Sequence, residues 1–140
     1  MQSNLVSAYK ATEYVVHGNG WVVVIRIGYH SLLVDRLLAR MHAKNAAFIT
    51  AWNPFSKALN FRANKYWDRE LKRFLSVRGF AFVEGEGRGR TGEWPPEPSV
   101  LAFGISRAEA SVIGRRYRQN AVVYVPRGRP AELVMLRWAG

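Results

Sequence analysis

Glu97 stands between Pro96 and Pro98, with Trp94 and Ser99 close by and an apolar run directly after it. Proline fixes the backbone on each side, so this carboxylate is held in place rather than free in solvent. Such a group suits a salt bridge to one of the many arginines, a hydrogen bond to a ligand, or general acid–base work. Asn64 is the second residue of interest. It recurs with Trp67, Leu71, Phe74 and Leu75 at helical spacing, which makes an inward stripe. An amide on that stripe must find partners or cost about 1–3 kcal/mol. The nearest partners by sequence lie in Thr50 to Ser56, where Asn53 precedes Pro54 and is expected to be extended. Gln119 and Asn120 follow the last predicted helix and either cap it or point toward Asn53. Two readings stay open: structural amides that pin a strand-to-helix connection, or a polar pocket of Asn53, Asn64, Glu97, Ser99 and Gln119, with Trp52 or Trp94 to stack on a ligand.

Other patterns are narrower. Gly87 to Gly92 matches G-x-G-x-x-G by letter, but Trp94-Pro95-Pro96 follows and no helix can open there to receive a pyrophosphate. What remains is a loop carrying Arg88 and Arg90, an arginine pair able to hold a phosphate, echoed by Arg127-Gly128-Arg129. On the long helix, Arg62, Lys65, Arg69, Lys72 and Arg73 form a basic ridge, partly neutralised by Asp68 and Glu70. A ridge of this kind is either a solvated face or a track for a phosphate backbone. His17, His30 and His42 have no metal-ligand spacing, and paired carboxylates or a nucleophile elbow are not evident. No metal, cofactor or catalytic set is assigned.

These residues need elements to hold them. The 140 residues fit one domain, residues 1–140, without repeats or a long linker. Thr12–His17 and Trp21–Ile27 flank Gly18-Asn19-Gly20 as a hairpin. Ser31 opens a helix to about His42; Ala46–Trp52 has the apolar content of a central strand. Asn60 caps a helix ending near Arg78, before Gly79. Phe80–Val83 reads as a short strand, Glu84–Pro98 as a loop and Ser99–Ile105 as a strand. Ser106 with Glu109 makes a capping box for a helix to about Arg118, and Ala121–Val125 and Glu132–Leu136 are the last strands. The sum is a single α+β domain: a mixed β-sheet of about six to seven strands with three packed helices.

Net charge is +11, mostly from arginine, which favours a nucleotide or nucleic acid as partner through a basic surface. Absence of cysteine suits a cytoplasmic setting, and no apolar run is long enough for a membrane span. Oligomeric state is not readable.

The ordered set Tyr9–Tyr14, Thr50–Ser56, Asn64, Leu71, Gly79, Gly87, Trp94–Ser99, Gly104–Ser106 and Gln119–Ala121 resembles a bacterial family, domain of unknown function 3293. The resemblance implies that Asn53, Asn64, Glu97, Ser99 and Gln119 belong to a shared pattern, whereas the basic ridge and the Arg-Gly-Arg loops do not. It implies no activity. The leading expectation is a small binding protein for a phosphate-bearing ligand, a nucleotide or nucleic acid. The alternatives are an enzyme on such a substrate with Glu97 as acid or base, and an interaction module whose polar cluster is structural.

Overall fold

The computed structural model describes residues 2–89 and 95–136, with side chains from Asn4 onward; Arg90 and Trp94 therefore lie outside the described residues. The element order is α1 (Gln2–Lys10), β1 (Thr12–Gly18), β2 (Trp21–Ile25), α2 (Leu32–Arg40), β3 (Asn45–Ile49), a 3-10 turn (Pro54–Ser56), α3 (Phe61–Val77), β4 (Phe82–Gly89), β5 (Glu97–Phe103), α4 (Arg107–Arg116), β6 (Ala121–Pro126) and β7 (Glu132–Met135). The chain is thus α+β; among the described residues there are seven strands, and α1 adds a fourth helix to the three read from sequence.

The strands form one sheet in the order β2-β1-β4-β5-β3-β6-β7. Its ladders are antiparallel throughout, where a mixed sheet was expected. The reason is the place of β3. The α4 crossover makes β5 and β6 run the same way, but β3 lies between them and pairs antiparallel with both. An isolated parallel bridge joins Ile27 to Ala131, next to the two edge strands, where the Gly28 N–H donates to the Ala131 carbonyl at 2.8 Å. The two edges therefore approach each other and the sheet curls into a half-barrel.

Side-chain alternation then defines two cores. Tyr14, Val16, Val23, Ile25, Phe48, Leu101, Phe103 and Val123 fill the inner face with Val34 and Leu38 of α2. Ala47, Ile49, Val100, Ala102 and Val122 face outward, under Leu71 and Leu75 of α3 and Ile113 of α4. Ser31, Asn60 and Ser106 cap α2, α3 and α4 through their side chains, the last as a full capping box. Among the described residues no helix is long and apolar enough to cross a membrane.

β4 extends beyond the expected strand. Glu84 to Gly89 continues it, although its glycines and charges suggest a loop. Gly85 and Gly87 sit on the inner face opposite Val16 and Tyr14, while Glu84, Glu86 and Arg88 alternate outward. α3 also differs in its buried stripe, which is Asn64, Asp68, Leu71 and Leu75; Trp67 stays 41% exposed. Asp68 is therefore an inward residue and not part of the outer ridge.

Candidate functional site: a polar pocket at the mouth of the half-barrel

β3 ends at Ile49, and the chain must reverse before α3. It does so through a strained turn. Asn53, Phe55 and Ser56 all have positive φ, at 46°, 56° and 59°. Left-handed backbone is tolerable for Asn but costs on the order of 1 kcal/mol or more at Phe or Ser. The extended conformation expected for Asn53 before proline is thus replaced by a left-handed one. Hydrogen bonds hold it there: Phe55 N–H donates to the Arg118 carbonyl at 2.8 Å, and Ser56 N–H to the Asn53 carbonyl at 2.9 Å.

Asn64 completes the restraint. Its Oδ1 accepts the Asn53 backbone N–H at 2.8 Å, and its Nδ2 donates to Asn53 Oδ1 at 2.7 Å and to the Leu59 carbonyl at 3.3 Å. Asn53 Oδ1 also accepts the Leu59 N–H at 3.0 Å. Every polar atom of the Asn64 side chain is engaged behind the turn. Asn53, by contrast, lines a pocket on the other side.

That pocket has a volume of about 100 Å³. Glu97 and Ser99 enter it from the first residues of β5, Gln119 from the connection after α4, and Thr50, Asn53 and Ser56 from the turn. Tyr9 of α1 and Thr12, Tyr14 and Gly87 from β1 and β4 close the other wall. Four sequence-predicted residues, Asn53, Glu97, Ser99 and Gln119, thus share one pocket, with Asn64 directly behind it. Trp52 turns aside to meet Phe61 edge-on at 5.9 Å. Arg88 points from the outer face of β4 and pairs with Glu86 at 2.7 Å. The structure does not bring these two to the cluster.

Many polar groups in the wall have internal partners. Thr50 Oγ1 donates to the Pro98 carbonyl at 2.8 Å and accepts the Trp52 N–H at 3.0 Å. Ser99 Oγ donates to the Glu97 carbonyl at 2.9 Å, and Tyr14 Oη to the Tyr9 carbonyl at 3.0 Å. Gln119 Nε2 donates to the Tyr117 carbonyl at 3.1 Å and the Trp52 carbonyl at 3.3 Å. Asn120 donates to Ser56 Oγ at 3.0 Å. Burial pushes the Tyr9 phenol above its ordinary range, against hydrogen bonds from Ser56 and Asn120, and the Glu97 charge pushes it further. Tyr14 is raised more strongly, again chiefly by burial, with Glu97 adding to it. Both phenols stay protonated at neutral pH, beside a carboxylate.

Tyr9, Thr12, Tyr14 and Gly87 belong to the sequence pattern of the family resemblance, but nothing in their spacing assigned them to a pocket; for Thr12, Tyr14 and Gly87 that depends on the β1–β4–β5 pairing. Among the described residues no group of three His, Cys, Asp or Glu side chains converges to hold a metal ion.

The model of a family described as "Protein of unknown function (DUF3293)" matches residues 49–122, just over half of the chain. No curated protein and no solved structure matches it. The matched segment carries the strained turn, Asn64, Gly87, Glu97, Ser99 and Gln119, while Tyr9, Thr12 and Tyr14 complete the pocket from outside it. On that match, the chain belongs to the DUF3293 family of proteins of unknown function.

Proposed function

We propose that the protein binds a small molecule and that the pocket at the mouth of the half-barrel takes the ligand's polar head. The observation that carries this reading is Gly87. A Cβ built there meets only ordinary contacts, Thr12 Cγ2 at 3.7 Å and the Tyr14 ring at 3.9 Å. Glycine in a strand is unfavourable by roughly 0.5–1 kcal/mol relative to Ala. A side chain at this position would fit the strand and fill the pocket, so its absence keeps the space open. Around that space stand hydrogen-bonding groups of several kinds: the Asn53 and Gln119 amides, the Tyr9 phenol and the Glu97 carboxylate.

Size and charge limit the ligand. Pockets for drug-sized molecules measure roughly 300–1,000 Å³, so about 100 Å³ suits a head group and not a whole nucleotide. Among the described lining residues there is no Lys or Arg to receive a phosphate, and Glu97 is the one acid. A phosphate-bearing ligand therefore enters this proposal with its phosphate outside the pocket. The absence of cysteine supports a cytoplasmic setting for that binding.

The test is a melting scan of the wild type and Gly87→Val with ethanolammonium, adenosine and AMP as probes, alongside native mass spectrometry of gently purified protein. Binding to the folded state raises the melting temperature. The wild type is expected to carry a small-molecule adduct or respond to a probe, and folded Gly87→Val to lose both. A response that is the same in the two proteins, or absent from both, overturns the pocket reading.

A second reading, catalysis, is favoured by the grouping of Glu97 with two phenols of raised pKa around one void. In it Glu97 is the acid or base. A ligand recovered unchanged after incubation with native protein argues against it; a mass change that Glu97→Gln abolishes supports it.

A further inference from the structure

A second concave region lies on the other side of the strained turn, between α3 and α4. Two hollows, of about 330 and 370 Å³, both reach Arg116 and form one groove along the helix pair. Its floor carries a row of aromatic rings. Trp67 meets Tyr117 edge-on at 6.4 Å, and Tyr117 meets Phe74 at 6.2 Å. The indole of Trp67 remains open to solvent.

Arginines line the same groove. The Arg116 guanidinium lies 4.4 Å from the Phe74 ring centroid and 5.9 Å from that of Tyr117, while Arg78 lies 4.8 Å from Phe74. Arg118, held at positive φ, reaches it from the end of α4. None of these three has a carboxylate within ion-pair distance among the described residues; the ion pairs there involve other cations. Glu109 lies along the groove, and its carboxylate accepts the Ser106 N–H in the capping box. With Glu109 at the wall and Glu70 near Tyr117 as the acids there, the arginines gathered on the rings still leave net positive charge, which attracts a polyanion. Exposed indole and ring-stacked guanidinium planes are both surfaces on which bases stack.

We propose that the α3–α4 groove binds single-stranded nucleic acid, with Arg78, Arg116 and Arg118 on phosphates and Trp67 stacking a base. The site is separate from the Gly87 pocket, so either can fail without the other. An acidic peptide would satisfy the arginines but would leave the stacking surfaces unused, and the rings favour the nucleic acid.

Fluorescence anisotropy of a labelled twelve-nucleotide oligo-dT tests this. Three phosphate contacts at a slope of about −0.7 each predict roughly a twentyfold loss of affinity between 50 and 200 mM salt. The Arg78→Ala/Arg116→Ala double variant should lower that slope by about 1.4, and oligo-dT should quench a tryptophan signal that Trp67→Phe removes. Circular dichroism checks that each variant is folded, and Trp67→Phe, which keeps a ring, covers the case in which the double variant is not. Equal losses in an Arg69→Ala/Arg73→Ala variant of the outer ridge would reduce the finding to diffuse attraction and overturn the site. Tighter binding of a duplex of the same length, or of a twelve-residue poly-glutamate, would overturn the single-strand assignment.

Discussion

Asn53 and Asn64 hold each other across an eleven-residue separation by two reciprocal hydrogen bonds, backbone N–H to Oδ1 at 2.8 Å and Nδ2 to Oδ1 at 2.7 Å. This pair divides the labour at the end of β3. Asn64 restrains the turn from behind, and the turn in turn presents Asn53 to the pocket. A lock for the fold and a wall for a ligand are thus two sides of one connection.

Replacing Asn64 by Ala leaves the buried Asn53 N–H without its acceptor, while Asn53 Oδ1 keeps the Leu59 N–H. The orphaned N–H costs about 1–3 kcal/mol, and the left-handed turn loses its restraint. Asn64→Ala should therefore lower the urea midpoint with an unchanged slope. Asn64→Asp keeps the acceptor but sets a carboxylate oxygen against Asn53 Oδ1, and should recover little. Wild-type stability in Asn64→Ala would show that the pair contributes nothing to the fold.

Two glycines of β4 should respond in opposite ways. A Cβ at Gly85 would collide with the Val15 carbonyl oxygen and crowd Val16 Cγ1 at 3.0 Å. Gly85→Ala must displace backbone, and overpacking of this kind costs about 1–3 kcal/mol. Gly87→Ala meets no such obstacle and should be neutral or stabilising by about 0.5 kcal/mol. Thermal melts of the two variants decide it: a large loss in Gly87→Ala would mean that this glycine is structural and not a keeper of the pocket.

Much of this was legible in the chain. Asn64 on an apolar stripe demanded a partner, and the Trp52-Asn53-Pro54 break supplied it. Glu97, Ser99 and Gln119 stood at element boundaries, where the curled sheet gathers them. What the sequence hid depends on long-range pairing. Gly85 and Gly87 read as loop residues because what they face is on other segments: Gly85 is crowded by Val15, Val16 and Phe48, and Gly87 borders the pocket opposite Tyr14. Asp68 read as a surface acid because of its charge, although its spacing from Asn64 and Leu71 puts it on the buried stripe. Tyr9 and Tyr14 entered only through the family resemblance, since Tyr14 reaches Glu97 by the β1–β4–β5 pairing and Tyr9 by the placement of α1.

The buried phenols make the fold sensitive to alkali. Tyr9, Tyr14 and Tyr117 are all raised above their ordinary value, chiefly by burial. Below about pH 10 these groups are protonated in both folded and unfolded chains and contribute nothing to the pH dependence. As pH rises through and beyond that value, the unfolded chain releases protons that the folded chain retains, and stability is lost. Urea midpoints should hold up to about pH 9 and fall above pH 10, with part of the phenolate absorbance appearing only as circular dichroism is lost. Reversible ionisation of all six tyrosines in a still-folded protein would contradict the burial of these phenols.

Asp68 is the remaining anomaly. It is 2% exposed on α3, and its Oδ2 meets Lys72 at 3.0 Å while its Oδ1 has no hydrogen-bond partner among the described residues. Lys72 also pairs with Glu84 of β4, so it keeps a counter-charge when Asp68 is removed. Removing one member of a buried ion pair is costly where it strands the other charge, but here Lys72 keeps Glu84 and the unsatisfied Oδ1 goes with the carboxylate. Asp68→Leu should therefore melt at or above the wild-type temperature, and Glu84 should retain its lowered pKa, whose first cause is the Lys72 hydrogen bond. Ligand and oligo-dT responses should be unchanged, because neither the pocket nor the α3–α4 groove uses this side chain. A variant that is stable but has lost either response would instead mark Asp68 as a functional carboxylate, retained in the core at the expense of stability.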